Sequence, residues 1–168
     1  PYLSCPDFKL WRAYVREYFL HTKGRMRYYE VWNEADIAFA NFPWVEYIEL
    51  QRIAYEELKK INPDAFLLTN GYACGPGGGR TDRNHLQKTL RDAGSYDILA
   101  FHGHCTYPVY KPQIKDLVDA IGKIAPAKQW YCNETAVTSS EVSKLQQGVT
   151  LFQKLIFSWA NGAMGYTW

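Results

Sequence analysis

Strand-like apolar runs alternate with amphipathic helical stretches along the whole chain, and this rhythm limits the fold more than any other feature. Phe8, Trp11, Tyr14, Val15, Tyr18 and Phe19 recur at helical spacing and predict a helix over residues 7–21. Gly24 breaks it, and Met26–Trp32, rich in aromatic and β-branched residues, reads as a strand. Pro43 can open the next helix, which runs to Ile61, and the turn Asn62-Pro63-Asp64 leads into the apolar run Ala65–Thr69. A helix over Asp82–Ala93 then precedes the strand Asp97–His102. Ile114, Leu117, Val118, Ile121 and Ile124 mark a further helix, followed by the strand Gln129–Asn133. Val142, Leu145, Val149, Phe152, Leu155, Ile156 and Trp159 mark the last helix, which breaks at Asn161-Gly162 and gives Met164–Trp168. Strands recur at intervals of roughly 30–40 residues, the length of a βα unit. Such alternation implies an α/β fold with a parallel sheet covered by helices.

Two architectures satisfy that pattern, an open doubly wound sheet and a closed β/α barrel. A complete (β/α)8 barrel needs about 250 residues, and the chain has 168. One helix followed by five strands and four intervening helices corresponds to the third helix through the eighth strand of such a barrel. The chain also starts without Met, almost directly in a helix, and stops inside an apolar strand pattern. The expectation is therefore that residues 1–168 are the C-terminal five-eighths of a single barrel domain, poorly folded and inactive when expressed alone.

The chemistry-bearing positions stand at strand ends. Glu34 closes Arg27-Tyr28-Tyr29-Glu30-Val31-Trp32-Asn33-Glu34, and Glu134 closes Gln129-Trp130-Tyr131-Cys132-Asn133-Glu134. The C-terminal ends of the strands form the catalytic face of a β/α barrel, with groups contributed by several strands. Two carboxyls flanking one bond are what glycoside hydrolysis requires. A single strand-end Glu would be read as a solvated side chain. Two of them, three βα units apart and each preceded by Asn, favour the catalytic reading.

Trp32-Asn33-Glu34 after an aromatic strand resembles the fourth strand of clan A glycoside hydrolases, the retaining (β/α)8 enzymes. Tyr29-Glu30-Val31-Trp32-Asn33-Glu34 is nearest to family-39 enzymes of the β-xylosidase and iduronidase type. The resemblance implies Glu34 as acid/base, Asn33 as donor to the sugar 2-hydroxyl, and Glu134 as nucleophile at the end of the seventh strand. It also implies that His102 or His104 lines the sugar subsite, that Tyr107 orients the nucleophile, and that Trp168 stacks under the sugar. The chain departs from the clan in having Ala35-Asp36 where Pro commonly follows the acid/base, and Thr135-Ala136 where Trp or Gly often follows the nucleophile.

Other readings stand beside these. His102 and His104, with a carboxylate or Cys105, could instead hold zinc and serve a metal-dependent hydrolase on the same barrel, or be rim histidines held by hydrogen bonds. Trp168 reads equally well as core packing, and Trp32 reads as structural. A non-catalytic sugar-binding relative would keep Asn33 and Trp168 and use neither glutamate chemically. Gly75-Pro76-Gly77-Gly78-Gly79-Arg80 lacks the Lys-Ser/Thr of a phosphate loop and reads as a loop after the fifth strand.

Composition fits a carbohydrate partner and argues against others. Aromatics make up 16% of the chain, with 6 Trp and 13 Tyr, and flat rings suit the apolar faces of sugars. A net charge of +2 with scattered basic residues argues against nucleic acid, and no apolar run is long enough to span a bilayer. Cys5, Cys74, Cys105 and Cys132 form no CxxC pair, so their spacing demands neither a disulfide nor a metal. No cofactor or metal is expected. The substrate class alone favours a secreted or periplasmic setting.

Overall fold

A computed structural model describes residues 4–79, 84–138, 140 and 142–168. Helix α1 spans Phe8–Thr22 and is capped by the Asp7 carboxylate, which accepts from the backbone N–H groups of Lys9 and Leu10. Such a cap is worth about 1 kcal/mol. There follow β1 (Tyr28–Glu30), α2 (Trp44–Ile61), β2 (Phe66–Leu68), α3 (His85–Arg91) and β3 (Ile98–His102). The chain continues through α4 (Tyr107–Ile124), β4 (Gln129–Glu134), α5 (Lys144–Ala160) and β5 (Ala163–Tyr166). The five strands form one parallel sheet in the order β1-β2-β3-β4-β5, so each helix crosses over to the next strand in line. This is an incomplete (β/α)8 barrel, from the third helix through the eighth strand.

The outer face of the sheet carries the core. One cluster packs Val15 and Phe19 of α1 against Tyr29 of β1, Leu50, Ala54 and Leu58 of α2, and Leu67 of β2. A second joins Leu99 and Phe101 of β3 and Trp130 and Cys132 of β4 to Leu90, Tyr110, Ile114 and Leu117 from α3 and α4. Alternate residues point to the opposite, concave face. There Leu68, Ile98 and Ala100 pack with Phe66 and Tyr131, and the Tyr28 ring stacks on Phe66 with centroids 5.3 Å apart.

Helical spacing placed the amphipathic faces correctly, but the two end helices leave part of theirs uncovered. Tyr14 and Leu10 on α1, and Phe152, Leu145 and Trp159 on α5, are exposed. These are the faces that flanking helices cover in a closed barrel.

Strand lengths are where local pattern and structure part. β1 is three residues long rather than the seven of Met26–Trp32, because Trp32 (φ 70°) and Glu34 (φ 42°) adopt the left-handed region and end the ladder. The run Met164–Trp168 is shifted as well: β5 closes at Tyr166, so Trp168 lies beyond it. The first two residues of the expected helix Asp82–Ala93 lie outside the described residues, and the described helix is followed by a 3-10 turn at Ala93–Ser95. Among the described residues no helix is long and apolar enough to cross a membrane. Cys5, Cys105 and Cys132 are free thiols.

Candidate active site

The C-terminal ends of β1, β2, β3 and β4 converge on one cleft. Beyond β1 the backbone turns sharply through Trp32 and Glu34, and left-handed geometry at non-glycine residues costs about 1–3 kcal/mol each. Three features hold it there. The Glu34 N–H donates to the Asn70 carbonyl at 2.7 Å. The Asp36 carboxylate, 1% exposed, accepts from the N–H groups of Cys74 at 2.8 Å and Ala73 at 3.3 Å. The Trp32 indole donates to the Phe39 carbonyl at 2.9 Å. Burial pushes the Asp36 carboxyl up, against the pull of those backbone donors. The result is a nearly buried Glu34 whose carboxylate points at β3.

His102, the last residue of β3, meets it. Its Nδ1 lies 2.8 Å from Glu34 Oε1, and the ring is almost wholly buried. Two residues on, His104 Nε2 lies 2.9 Å from Glu134 Oε1 in a half-open position. The two imidazoles cross nearly edge to face, with centroids 5.9 Å apart. His102 Nε2 stands 3.9 Å from Glu134 Oε2, so a single imidazole lies between the two carboxylates.

Glu134 reaches the cleft through a bulge. Phe101 pairs with Cys132, but His102 pairs with Glu134, so β4 carries one extra residue at this point. Strict alternation along β4 would aim Asn133 into the cleft and Glu134 toward the helices. The extra residue re-aims the side chain. Behind the bulge, Lys154 of α5 is fully buried and donates to the Gly103 carbonyl (2.6 Å), Thr135 Oγ1 (3.1 Å) and the Ala136 carbonyl (3.2 Å). Its three donors are thereby satisfied. Burial holds its pKa below the ordinary lysine value.

Of the residues singled out from sequence, Glu34, Glu134, His102 and His104 are drawn into one cleft. Asn33 sits exposed on the turn beside Glu34. Tyr107 opens α4, and its ring packs edge-on against Phe157 of α5. Trp168 is 41% exposed and lies over the Lys154 ammonium at 5.6 Å. The Gly75–Gly79 segment makes a turn in which the Gly78 N–H donates to the Gly75 carbonyl; Arg80 lies outside the described residues.

Sequence reading missed Glu30, Asp36, Asn133 and Lys154. Glu30 faces the concave side, its carboxyl pushed up to about 8 by burial and by the negative charges of Glu134 and Glu34, while a hydrogen bond from Asn133 pulls the other way. Its inward position could have been read from alternation with the outward Tyr29. Lys154 gave no signal, since a lysine in an amphipathic helix reads as surface.

The grouping able to take a metal ion among the described residues is Glu34, His102 and His104, whose donor atoms lie within 4.8 Å of one another. Zinc binds such donors at about 2.0–2.2 Å. Here each histidine is instead turned onto a carboxylate, a pattern suited to holding protons and orienting oxygens.

The fold and this strand-end cleft define the chain as part of a β/α barrel, and solved structures agree. It superposes on a family-39 β-xylosidase from Caulobacter crescentus with a TM-score of 0.73 and 19% identity, over 97% of this chain and 39% of that one. A family-39 glycoside hydrolase from Bacteroides cellulosilyticus gives 0.72 and 19%, over 96% and 37%. A glucosidase from Croceicoccus marinus gives 0.80 and 10%, over 98% and 39%. The chain thus spans about two-fifths of the length of these proteins. No known family's sequence pattern matches it, nor does any curated protein.

Proposed function

We propose that this chain is the C-terminal five-eighths of a glycoside hydrolase barrel acting by a retaining, two-glutamate double displacement. The observation that carries the reading is the paired arrangement at the strand ends. Glu34 after β1 and Glu134 on β4 are each held by a histidine from the end of β3, at 2.8 and 2.9 Å. The solved neighbours, glycoside hydrolases by name, support the same class.

In the first step ionised Glu134 attacks the anomeric carbon, while protonated Glu34 gives its proton to the leaving oxygen. The glycosyl–enzyme ester then breaks when water, losing its proton to Glu34, attacks the same carbon and frees Glu134. His102 fixes the oxygen of Glu34 that is turned away from the leaving group. His104 does the same for Glu134 while leaving its other oxygen open. Asn33, on the exposed turn, is positioned for a sugar hydroxyl, and Trp168 offers its ring to a sugar face at the mouth.

The test uses the complete barrel, this chain joined to the three βα units that close it, with a panel of aryl glycosides. Release of the phenol, with the first-formed sugar keeping its anomeric configuration, is the expected result. Inversion, or binding without turnover, would overturn the mechanism. The convergence of Glu34, His102 and His104 favours one second reading, a metal-assisted hydrolase. It predicts loss of activity on chelation and recovery with zinc, whereas the two-glutamate reading predicts indifference to chelators.

A further inference from the structure

The concave face holds a contact that the double displacement does not use. Asn133 Nδ2 of β4 donates to Glu30 Oε2 of β1 at 2.5 Å. β2 and β3 stand between these strands in the sheet, so the bond spans the hollow of the barrel rather than joining neighbours. Space has been cleared for it. Gly71, beyond β2 with φ +62°, leaves the volume in which an added Cβ would lie 2.6 Å from Glu30 Oε1 and 2.1 Å from His102 Nε2. Glu30 Oε1 in turn stands 3.9 Å from His102 Nε2.

We propose that Glu30 is a positioning residue: it tethers Asn133 across the barrel and so fixes the bulge that aims Glu134 at the anomeric carbon. The proposal rests on the glycosidase reading above for its consequence, but not for the tether itself. Asn133 is the extra residue of the bulge, and a β-bulge has no ladder partner to hold its side chain. A bond to the strand that leads to Glu34 makes one mechanical unit of the two strand ends. Their separation then does not depend on loop conformation alone. Glu30 touches no reacting atom, so its loss should slow the chemical step more than it weakens binding.

The experiment is a double-mutant cycle in the complete barrel with Glu30→Ala, Asn133→Ala and the pair, plus Glu30→Gln, whose amide oxygen still accepts from Asn133. Each alanine variant should lower kcat by about 10–100-fold with KM changed by less than about threefold, as for leaving one partner of a side-chain hydrogen bond unpaired. The double variant should be no worse than the worse single, and Glu30→Gln should recover to within about threefold of wild type, as expected when one bond is shared. Equal losses for Glu30→Gln and Glu30→Ala, or multiplicative losses in the pair, would overturn the proposal. Thermal unfolding of the same proteins reads the tether without reference to catalysis. Non-additive Tm losses support it, and additive losses refute it. A wild-type barrel inert on every glycoside but showing non-additive Tm losses would sink the hydrolase reading and uphold the tether.

Discussion

At the end of β1, Glu34 is 8% exposed, its backbone lies in the left-handed region, and it bonds to Asn70 and His102 while Asp36 ties the same turn to Ala73 and Cys74. At the end of β4 the Glu134 side chain is 56% exposed, its backbone pairs with β3 through a bulge, and its carboxylate touches the half-open His104. One site is built by burial and strain, the other by register. In the proposed mechanism the acid/base is the enclosed carboxyl, whose orientation is fixed by His102. A nucleophile must reach a carbon, and an open flank with one supporting donor serves that. The same contrast appears in the supports, since buried Asp36 braces the first site and buried Lys154 the second.

Six substitutions in the complete barrel would break or sharpen this contrast. Glu134→Gln removes the carboxylate proposed to attack, and kcat on aryl glycosides should fall about 10⁴-fold or more. A variant with normal turnover would end the assignment. Glu34→Ala should cost about 10²–10⁴-fold, since general acid–base help is of that size. Its loss should be smallest with the most acidic phenol leaving groups and partly restored by added azide. The histidines test burial directly. His102→Ala removes a buried bond to a carboxylate, worth roughly 1.5–3 kcal/mol, or about 10–100-fold in kcat. His104→Ala, at a half-open site, should cost less than about tenfold. Equal effects would erase the difference between the two ends. The smallest effects are on stability. Lys154→Met leaves the Ala136 carbonyl without its donor and should lower stability by about 2–4 kcal/mol. Asp36→Asn keeps one acceptor for the Cys74 N–H and should lower it by about 1 kcal/mol, both readable by denaturant titration.

Much of this was legible in the residues. Helical periodicity in α2 and α4, and the apolar runs of β3 and β4, fixed the order of elements, because each buries one side against its neighbour. Glu34 and Glu134 could be found because strand order places chemistry at one sheet edge, whatever the details of the loops. What escaped was long-range or non-periodic. The backbone reversal at Trp32 cannot be seen in an aromatic, strand-favouring string, since tertiary contacts from Asn70 and Asp36 impose it. The bulge at Asn133 is likewise a property of the β3–β4 pairing and not of β4 alone. Lys154 looked like a surface lysine because its three acceptors come from segments 18–51 residues away. Tyr107 was expected at the nucleophile from resemblance alone, and its ring lies against Phe157.

The central claim is that Glu134 bonds to the sugar. Incubating the complete barrel with activated 2-deoxy-2-fluoro glycosides slows release of the intermediate and lets the labelled peptide be read by mass spectrometry. One glycosyl unit on the peptide Gln129–Glu134, located at Glu134, is the result this account predicts. A label on Glu34 or Glu30, or turnover with no covalent species and inverted product, would contradict it.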